Sequence, residues 1–321
     1  MLNALAYLHP QLGPERLRAL APSLTVAGAH AWLPHGRGLS HRSESERKRW
    51  LAHERPLTQD TCTTQTFSNS LATEGAGPLN ASVTRDRVDD LEAAVSALVT
   101  KASLPACAVY LFDEPWLLGH AIGEHVSANL GAHYILLDDA WAWRVVPGTH
   151  GWAPHRGWYD RLDSRAPELL NVWVALTDAS VDRSCIHVVP LNQDAQYTNT
   201  ERHHFDVPTA LEDIPHVALA ASAGDVLVWS ANVLHWGGPC DLQALGPRVS
   251  VSFTLARGSS PCDGVAPALA PPCPFEQRLD SFARQIVTYG IGQPDVSDAV
   301  ILWAKARVML NQFTKNMQHT Q

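Results

Sequence analysis

The chain has 321 residues, 45% of them hydrophobic and 17% charged, with a net charge of −8. That apolar fraction excludes a disordered chain, and the mildly acidic balance gives no global attraction to a nucleic acid polymer or an anionic membrane. Six cysteines without a CxxC pair exclude zinc-ribbon and thioredoxin motifs and are too few for a disulfide scaffold. No run approaches the ~18 apolar residues of a membrane helix, and the N-terminus lacks the basic start and apolar core of a secretory signal. The expectation is a cytoplasmic protein of about one domain; its oligomeric state is not legible.

Residues 1–104 hold scattered Pro and Gly, a basic stretch (HRSESERKRW) and a Thr/Ser-rich stretch, and are expected to be mainly helical or irregular. Within them Val88, Leu91, Val95 and Leu98 recur on one helical face between Asp86 and Lys101. CAVYLF (107–112) reads as a buried strand, and Trp116–Leu130 as a helix stopped by Gly131. From residue 133 the texture changes to short apolar runs: HYILL, AWRVV, NVWVAL, CIHVV, DVLVWS and VSVSFTL. Turn residues such as Pro147-Gly148 and Gly237-Gly238-Pro239 punctuate them. Many short strands without intervening helices indicate a sandwich or barrel, here assigned to 105–258. Residues 259–321 continue as a Pro/Gly/Ala-rich connector and two helices. Their stripes are Leu279, Phe282, Ile286 and Tyr289, then Ala299, Leu302, Ala306, Met309 and Phe313.

Two histidines stand among residues suited to metal chemistry. His155, in GWAPHRGWYD, follows a Pro at the start of a possible strand, and His235 follows the DVLVWS run. A His, a carboxylate two residues on, and a distant second His form the facial triad of non-haem Fe(II) oxygenases. Here the i+2 residue is Gly157, so the carboxylate is missing. Downstream, Arg248, Ser250 and Ser252 alternate with Val249, Val251 and Phe253, giving one polar strand face. An Arg with a Ser at i+2 on such a face can hold a carboxylate. A literal His-x-Asp also occurs, at His204-Phe205-Asp206. Only 31 positions separate it from His235, against 80 for His155, and its polar surroundings read as a loop.

The stretches WAPHRG, LNVWVALTDAS, IHVVP, GDVLVW, LHWGG and PRVS, over roughly residues 133–255, resemble the phytanoyl-CoA dioxygenase family of Fe(II)/2-oxoglutarate oxygenases. The resemblance implies a mainly β fold with helical flanks: a double-stranded β-helix, the cupin-like jelly roll. It implies Fe(II), 2-oxoglutarate and O2 acting on a small-molecule substrate. It makes His155 and His235 the metal ligands, Arg248 and Ser250 the clamp for the distal carboxylate of 2-oxoglutarate, and Trp173 an aromatic lining of the cosubstrate site.

Gly157 stands where the family has Asp, as in the radical halogenases of the same superfamily. Two neutral His leave Fe(II) with charge +2, and a chloride or bromide restores the +1 that Asp would give. The expected activity is therefore radical halogenation of an aliphatic C–H bond. Hydroxylation, with Gly157 native or substituted for Asp, is the alternative within the family; a non-catalytic small-molecule binder is the alternative outside it. Arg144, Arg156, Trp158 and Tyr159 surround the motif. They fit either an anionic or amphipathic substrate, or surface and packing roles.

Overall fold

The computed structural model describes residues 57–59, 64–157, 168–197, 214–258, 267–268 and 275–318. Trp158, Tyr159 and the His204-Phe205-Asp206 motif lie outside them. The chain divides into two compact units, one comprising 93–117 and 269–321 with the first 54 residues, the other 55–92 and 118–268.

The second unit is the jelly roll. Its strands are β1 (Leu57–Gln59), β2 (Ala76–Val83), β3 (Tyr134–Val145), β4 (Leu169–Ala175), β5 (Ile186–Val188), β6 (Val217–Leu219), β7 (Asp225–Ser230), β8 (His235–Gly237) and β9 (Arg248–Arg257). They form an antiparallel six-stranded sheet in the order β1-β2-β7-β4-β9-β3 and an antiparallel three-stranded sheet in the order β6-β5-β8. Residues of both sheets, among them Trp173, Leu227 and Trp229 from the large one and Ile186 and Val188 from the small one, share one core. The fold class expected from the alternation of short apolar runs is the one observed.

Register sorts the large sheet into two faces. Directly paired residues point the same way, so Trp143–Ser250–Ala175 and Trp141–Ser252–Trp173 form rows across β3, β9 and β4. This inner face faces the core shared with the small sheet. Val249, Val251, Phe253 and Leu255 occupy the outer face. There helix α3 (Asp113–Leu130) approaches closely: a Cβ on Gly119 would lie 2.9 Å from both Leu136 and Phe253. Preceding it are α1 (Thr64–Glu74) and α2 (Arg85–Thr100), and all four residues of the expected α2 stripe are buried.

The other unit contains a 3-10 helix (Ala106–Leu111), α4 (Phe275–Tyr289) and α5 (Asp298–Gln318). Buried Arg278 of α4 pairs with Asp113 at 3.0 Å and stacks on Trp116 at 4.9 Å. Among the described residues, no helix is long and apolar enough to cross a membrane.

Four expectations need correction. The run 107–112 is a 3-10 helix, buried throughout its six residues, with the Ala106 amide donating to Asp295 at 2.8 Å. A short apolar run suits any buried element, and period alone does not choose. HYILL and AWRVV are one strand, β3, whose register slips between Leu136 and Ala140; the bulge falls where the two runs seemed to part. The jelly roll is not confined to 105–258, because β1 and β2 belong to the large sheet. Finally, α5 buries Val300, Trp303, Ala304 and Arg307, while Leu302 and Met309 of the expected stripe are 57% and 69% exposed. Arg307 reaches Asp280 of α4 at 2.6 Å, and Trp303 packs against Phe282, so this second face is the one that docks. The Phe313 side chain is outside the description.

Candidate functional site

His155 lies in no regular strand. Residues 149–157 run antiparallel to 231–240, joined backbone to backbone at intervals. Cys240 donates to Thr149, Gly151 to Gly238 and Gly237 to Trp152, at 2.8, 3.1 and 3.0 Å. His155 and His235 exchange reciprocal amide bonds of 3.0 Å each, and Gly157 donates to Ala231 at 2.7 Å. A reciprocal pair puts both side chains on one side of the ladder. The imidazoles accordingly sit side by side, ring centroids 4.2 Å apart. The expected pairing of these two histidines is what the backbone ladder produces.

Local hydrogen bonds orient each ring. Nδ1 of His155 lies 2.8 Å from the Ala153 carbonyl, and Nδ1 of His235 lies 2.8 Å from the Val233 carbonyl. A carbonyl only accepts, so Nδ1 carries a proton in both rings, which leaves Nε2 as the nitrogen that could meet a metal. Trp152 stacks on His155 at 5.1 Å, and Trp229 flanks His235 at 4.9 Å. Burial, helped by His155 and then by Arg156, holds His235 well below the ordinary imidazole pKa, so it stays neutral. Two imidazoles whose Nδ1–H groups are committed to backbone carbonyls present Nε2 on the same side of the ladder, an arrangement that fits Fe(II). Among the described residues no group of three His, Cys, Asp or Glu side chains converges on a metal position.

Gly157 has a second, structural role. A Cβ on it would lie 2.9 Å from the carbonyl oxygen of Ala231 and 3.4 Å from Nδ2 of Asn171. The first contact is with backbone, so a side chain here requires the ladder to shift.

Arg248 begins β9 and is 1% exposed. Its Nε donates to the Ser184 carbonyl at 3.0 Å, NH1 to the Ser250 hydroxyl at 2.6 Å and NH2 to the Ser184 hydroxyl at 3.2 Å. All three acceptors are neutral, and no carboxylate among the described residues pairs with it. Burial pulls its pKa down to about 10, so it is still cationic at neutral pH. A guanidinium has five N–H donors, so two remain for an outside acceptor. Trp173 lies beneath it, 5.6 Å from the guanidinium carbon to the ring centroid. A Cβ on Gly237 would lie 3.2 Å from NH2 of Arg248. Gly237 is two residues from His235 on β8, so the cation sits about 7 Å further along the strand bearing the second histidine. His155, His235, Gly157, Arg248, Ser250 and Trp173 therefore share one site.

Sequence reasoning missed two members. Ser184 is fully buried with φ +53, a left-handed conformation rare outside glycine, and supplies two of the three acceptors for Arg248. Asp194 forms a buried bidentate pair with Arg156, which also donates to the Asn232 carbonyl at 3.1 Å. Arg156 is thus neither a surface residue nor a free cation for substrate. Arg144 pairs with Val249 on the outer face of the large sheet and does not face the histidines.

Residues 153–240 match the phytanoyl-CoA dioxygenase (PhyH) family. No curated protein matches the chain. Similar solved structures include the non-haem α-ketoglutarate-dependent epimerase SnoN of nogalamycin biosynthesis, 17% identical over 66% of this chain and 88% of its own, with a TM-score of 0.47. Others are AviO1 from Streptomyces viridochromogenes Tue57 (18%, 64% and 99%, 0.47) and the carbocyclase SnoK of nogalamycin biosynthesis (17%, 62% and 86%, 0.48).

Proposed function

We propose that the protein is an Fe(II)/2-oxoglutarate-dependent enzyme acting on an aliphatic C–H bond of a small molecule, and that a halide, chloride or bromide, takes the iron position the missing carboxylate leaves. The carrying observation is Arg248: a fully buried cation with two uncommitted donors and no carboxylate partner among the described residues. A desolvated guanidinium is costly until an anion joins it. Its place along β8 from His235 suits a dicarboxylate whose other end reaches the metal.

His155 and His235 would hold the iron through Nε2, and Arg248 with Ser250 would hold the distal carboxylate of 2-oxoglutarate over Trp173. Iron with 2-oxoglutarate and O2 supplies the oxidising power for C–H cleavage. The chain's own contribution is to fix the imidazole tautomers, orient the cosubstrate, and exclude water with Trp152 and Trp229. Halogenation over hydroxylation is supported by Gly157, which stands where the family's iron-binding carboxylate would be. Hydroxylation stays a second reading for one reason. The space beside Gly157 is bordered by the Ala231 carbonyl rather than open, and that dipole suits a water hydrogen at least as well as a halide. A non-catalytic binder would have no use for the Arg248 clamp.

The test is anaerobic addition of Fe(II) and 2-oxoglutarate, followed by chloride titration of the visible metal-to-ligand band, then O2 and mass spectrometry. Succinate formation with chlorinated product supports the proposal. Succinate with only oxygenated product removes the halide, and no succinate removes the enzyme class.

A further inference from the structure

The inner face of the large sheet has two polar ends, and only one is used by the chemistry above. At the Arg248 end the row is Trp143–Ser250–Ala175. Two residue pairs along β9, about 13 Å from Ser250, the row is Trp229–Asn171–Thr254, fixed by the pairings Asn171↔Trp229 and Asn171↔Thr254. The Thr254 hydroxyl donates to Asp139 at 2.8 Å, which carries the row onto the bulge of β3. Thr254 and Asp139 are both buried.

Buried indole N–H groups without an acceptor among the described residues occur along the whole inner face, on Trp143 and Trp173 near Arg248 and on Trp229 here, and this row alone adds an uncommitted carboxamide. Trp229 is 3% exposed, and its indole N–H has no acceptor among the described residues. Asn171 is the one residue of β4 that is not fully buried, and its carboxamide makes no hydrogen bond with the described residues. An asparagine is a poor strand former, and it interrupts the apolar run LLNVWVA. Its Nδ2 approaches the flank of Gly157, beside the proposed iron. Buried polar groups left unpaired by the protein need partners from elsewhere. An unfunctionalised hydrocarbon chain would leave these groups desolvated and unpaired.

We infer that Trp229, Asn171, Thr254 and Asp139 form the substrate-recognition row, and that it takes a neutral group rich in hydrogen-bond acceptors and donors, such as a hydroxylated ring or a carboxamide. The Trp229 and Asn171 N–H groups meet acceptors on the ligand, and the Asn171 carbonyl and the Asp139 end meet donors. Arg156 does not contribute a cation, because Asp194 neutralises it. This assignment rests on the Fe(II)/2-oxoglutarate reading for the identity of the row's ligand as substrate.

The experiment is an anaerobic titration of the Fe(II)/2-oxoglutarate protein, following the visible band. The probes are methyl glucoside and N-acetylglycinamide, with methylcyclohexane and octanoate as apolar and anionic counterparts. At least one of the first two produces a saturable shift. Asn171→Leu and Thr254→Val weaken it roughly fivefold or more, Thr254→Ser retains it, and none alters the 2-oxoglutarate concentration at half-formation of the band. A shift from methylcyclohexane or octanoate alone, no shift from any probe, or undiminished binding in the Leu and Val variants overturns the assignment. If 2-oxoglutarate forms no band at all, the cosubstrate reading has failed. Equilibrium dialysis of the same probes against the same variants then still decides whether the row binds them.

Discussion

The two ends of the inner sheet face differ in how the protein holds the side chain that would meet a ligand. At the Arg248 end, Ser184 and Ser250 hold three guanidinium donors, and the Ser184 hydroxyl in turn donates to the Gly238 carbonyl at 2.7 Å. The cation is aimed before any ligand arrives. At the other end the Asn171 carboxamide has no such partner among the described residues, while indole N–H groups without an acceptor occur at both ends, Trp143 and Trp173 near Arg248 and Trp229 beside Asn171. The difference teaches where specificity sits. An invariant cosubstrate rewards a fixed clamp, because preorganisation spares the ordering cost on binding. A substrate-specific subsite has to draw its missing hydrogen bonds from the substrate.

The largest break in this comparison comes from the two proposed metal ligands. His155→Ala and His235→Ala are expected to abolish iron binding, because each removes one of the two proposed ligands. Metal analysis after reconstitution decides it; full iron occupancy in both variants would exclude the pair. Next comes Arg248→Leu. Losing the partner of a desolvated carboxylate costs about 2–5 kcal/mol, so the KM for 2-oxoglutarate should rise by roughly thirtyfold to about five-thousandfold. An unchanged KM would detach the clamp from the cosubstrate.

Gly157→Ala sharpens the comparison from the middle. Its methyl group would press on the Ala231 carbonyl at 2.9 Å, and the ladder has no flexible side chain there to yield. A loss of about 1–3 kcal/mol is expected, measurable by urea unfolding of the metal-free protein. Gly157→Asp carries the same steric cost and adds a carboxylate beside the iron. If it converts halogenated product to hydroxylated product, the ladder has moved enough to let the carboxylate ligate. If Gly157→Ala is as stable as the parent, the glycine is not required by the close approach, and its role is at the metal alone.

Much of the fold was legible because period-2 alternation and turn residues report strands directly. Arg248, Ser250 and Ser252 against Val249, Val251 and Phe253 gave the correct polar face of β9. The histidine pair was legible through its resemblance to a known family, not through spacing, since neither His alone differs from a core histidine. Residues whose roles depend on non-local partners were hidden. Asp194 finds Arg156 38 positions away, and Asp139 reaches Thr254 only because a bulge in β3 turns it inward. Ser184 acts through a left-handed backbone conformation that serine does not advertise. In α5 both helix faces are apolar, so the stripe with the better spacing lost to the face whose Arg307 and Trp303 meet α4.

The smallest expected effect concerns the burial of His235 itself. In the unfolded chain this imidazole titrates near 6.5. In the fold its pKa lies well below that value, first because burial penalises the charged ring, then because His155 and Arg156 oppose a further positive charge. Between the two values the unfolded chain binds a proton that the folded chain does not, and linkage then lowers stability as pH falls. The contribution is fully present above about pH 6.5, declines below it, and levels off once the folded ring also protonates. Burial lowers His187 and His125 as well, so part of any acid slope belongs to them. Subtracting the profile of His235→Gln isolates the site residue, because glutamine keeps a polar side chain but does not titrate. Urea midpoints of the metal-free parent and variant, taken from pH 8 to pH 5, should converge toward the acid end as the parent loses its advantage. Parallel curves across that range would mean that His235 is accessible enough to protonate in the fold, and that the iron end of the site is wetter than its tryptophan walls imply.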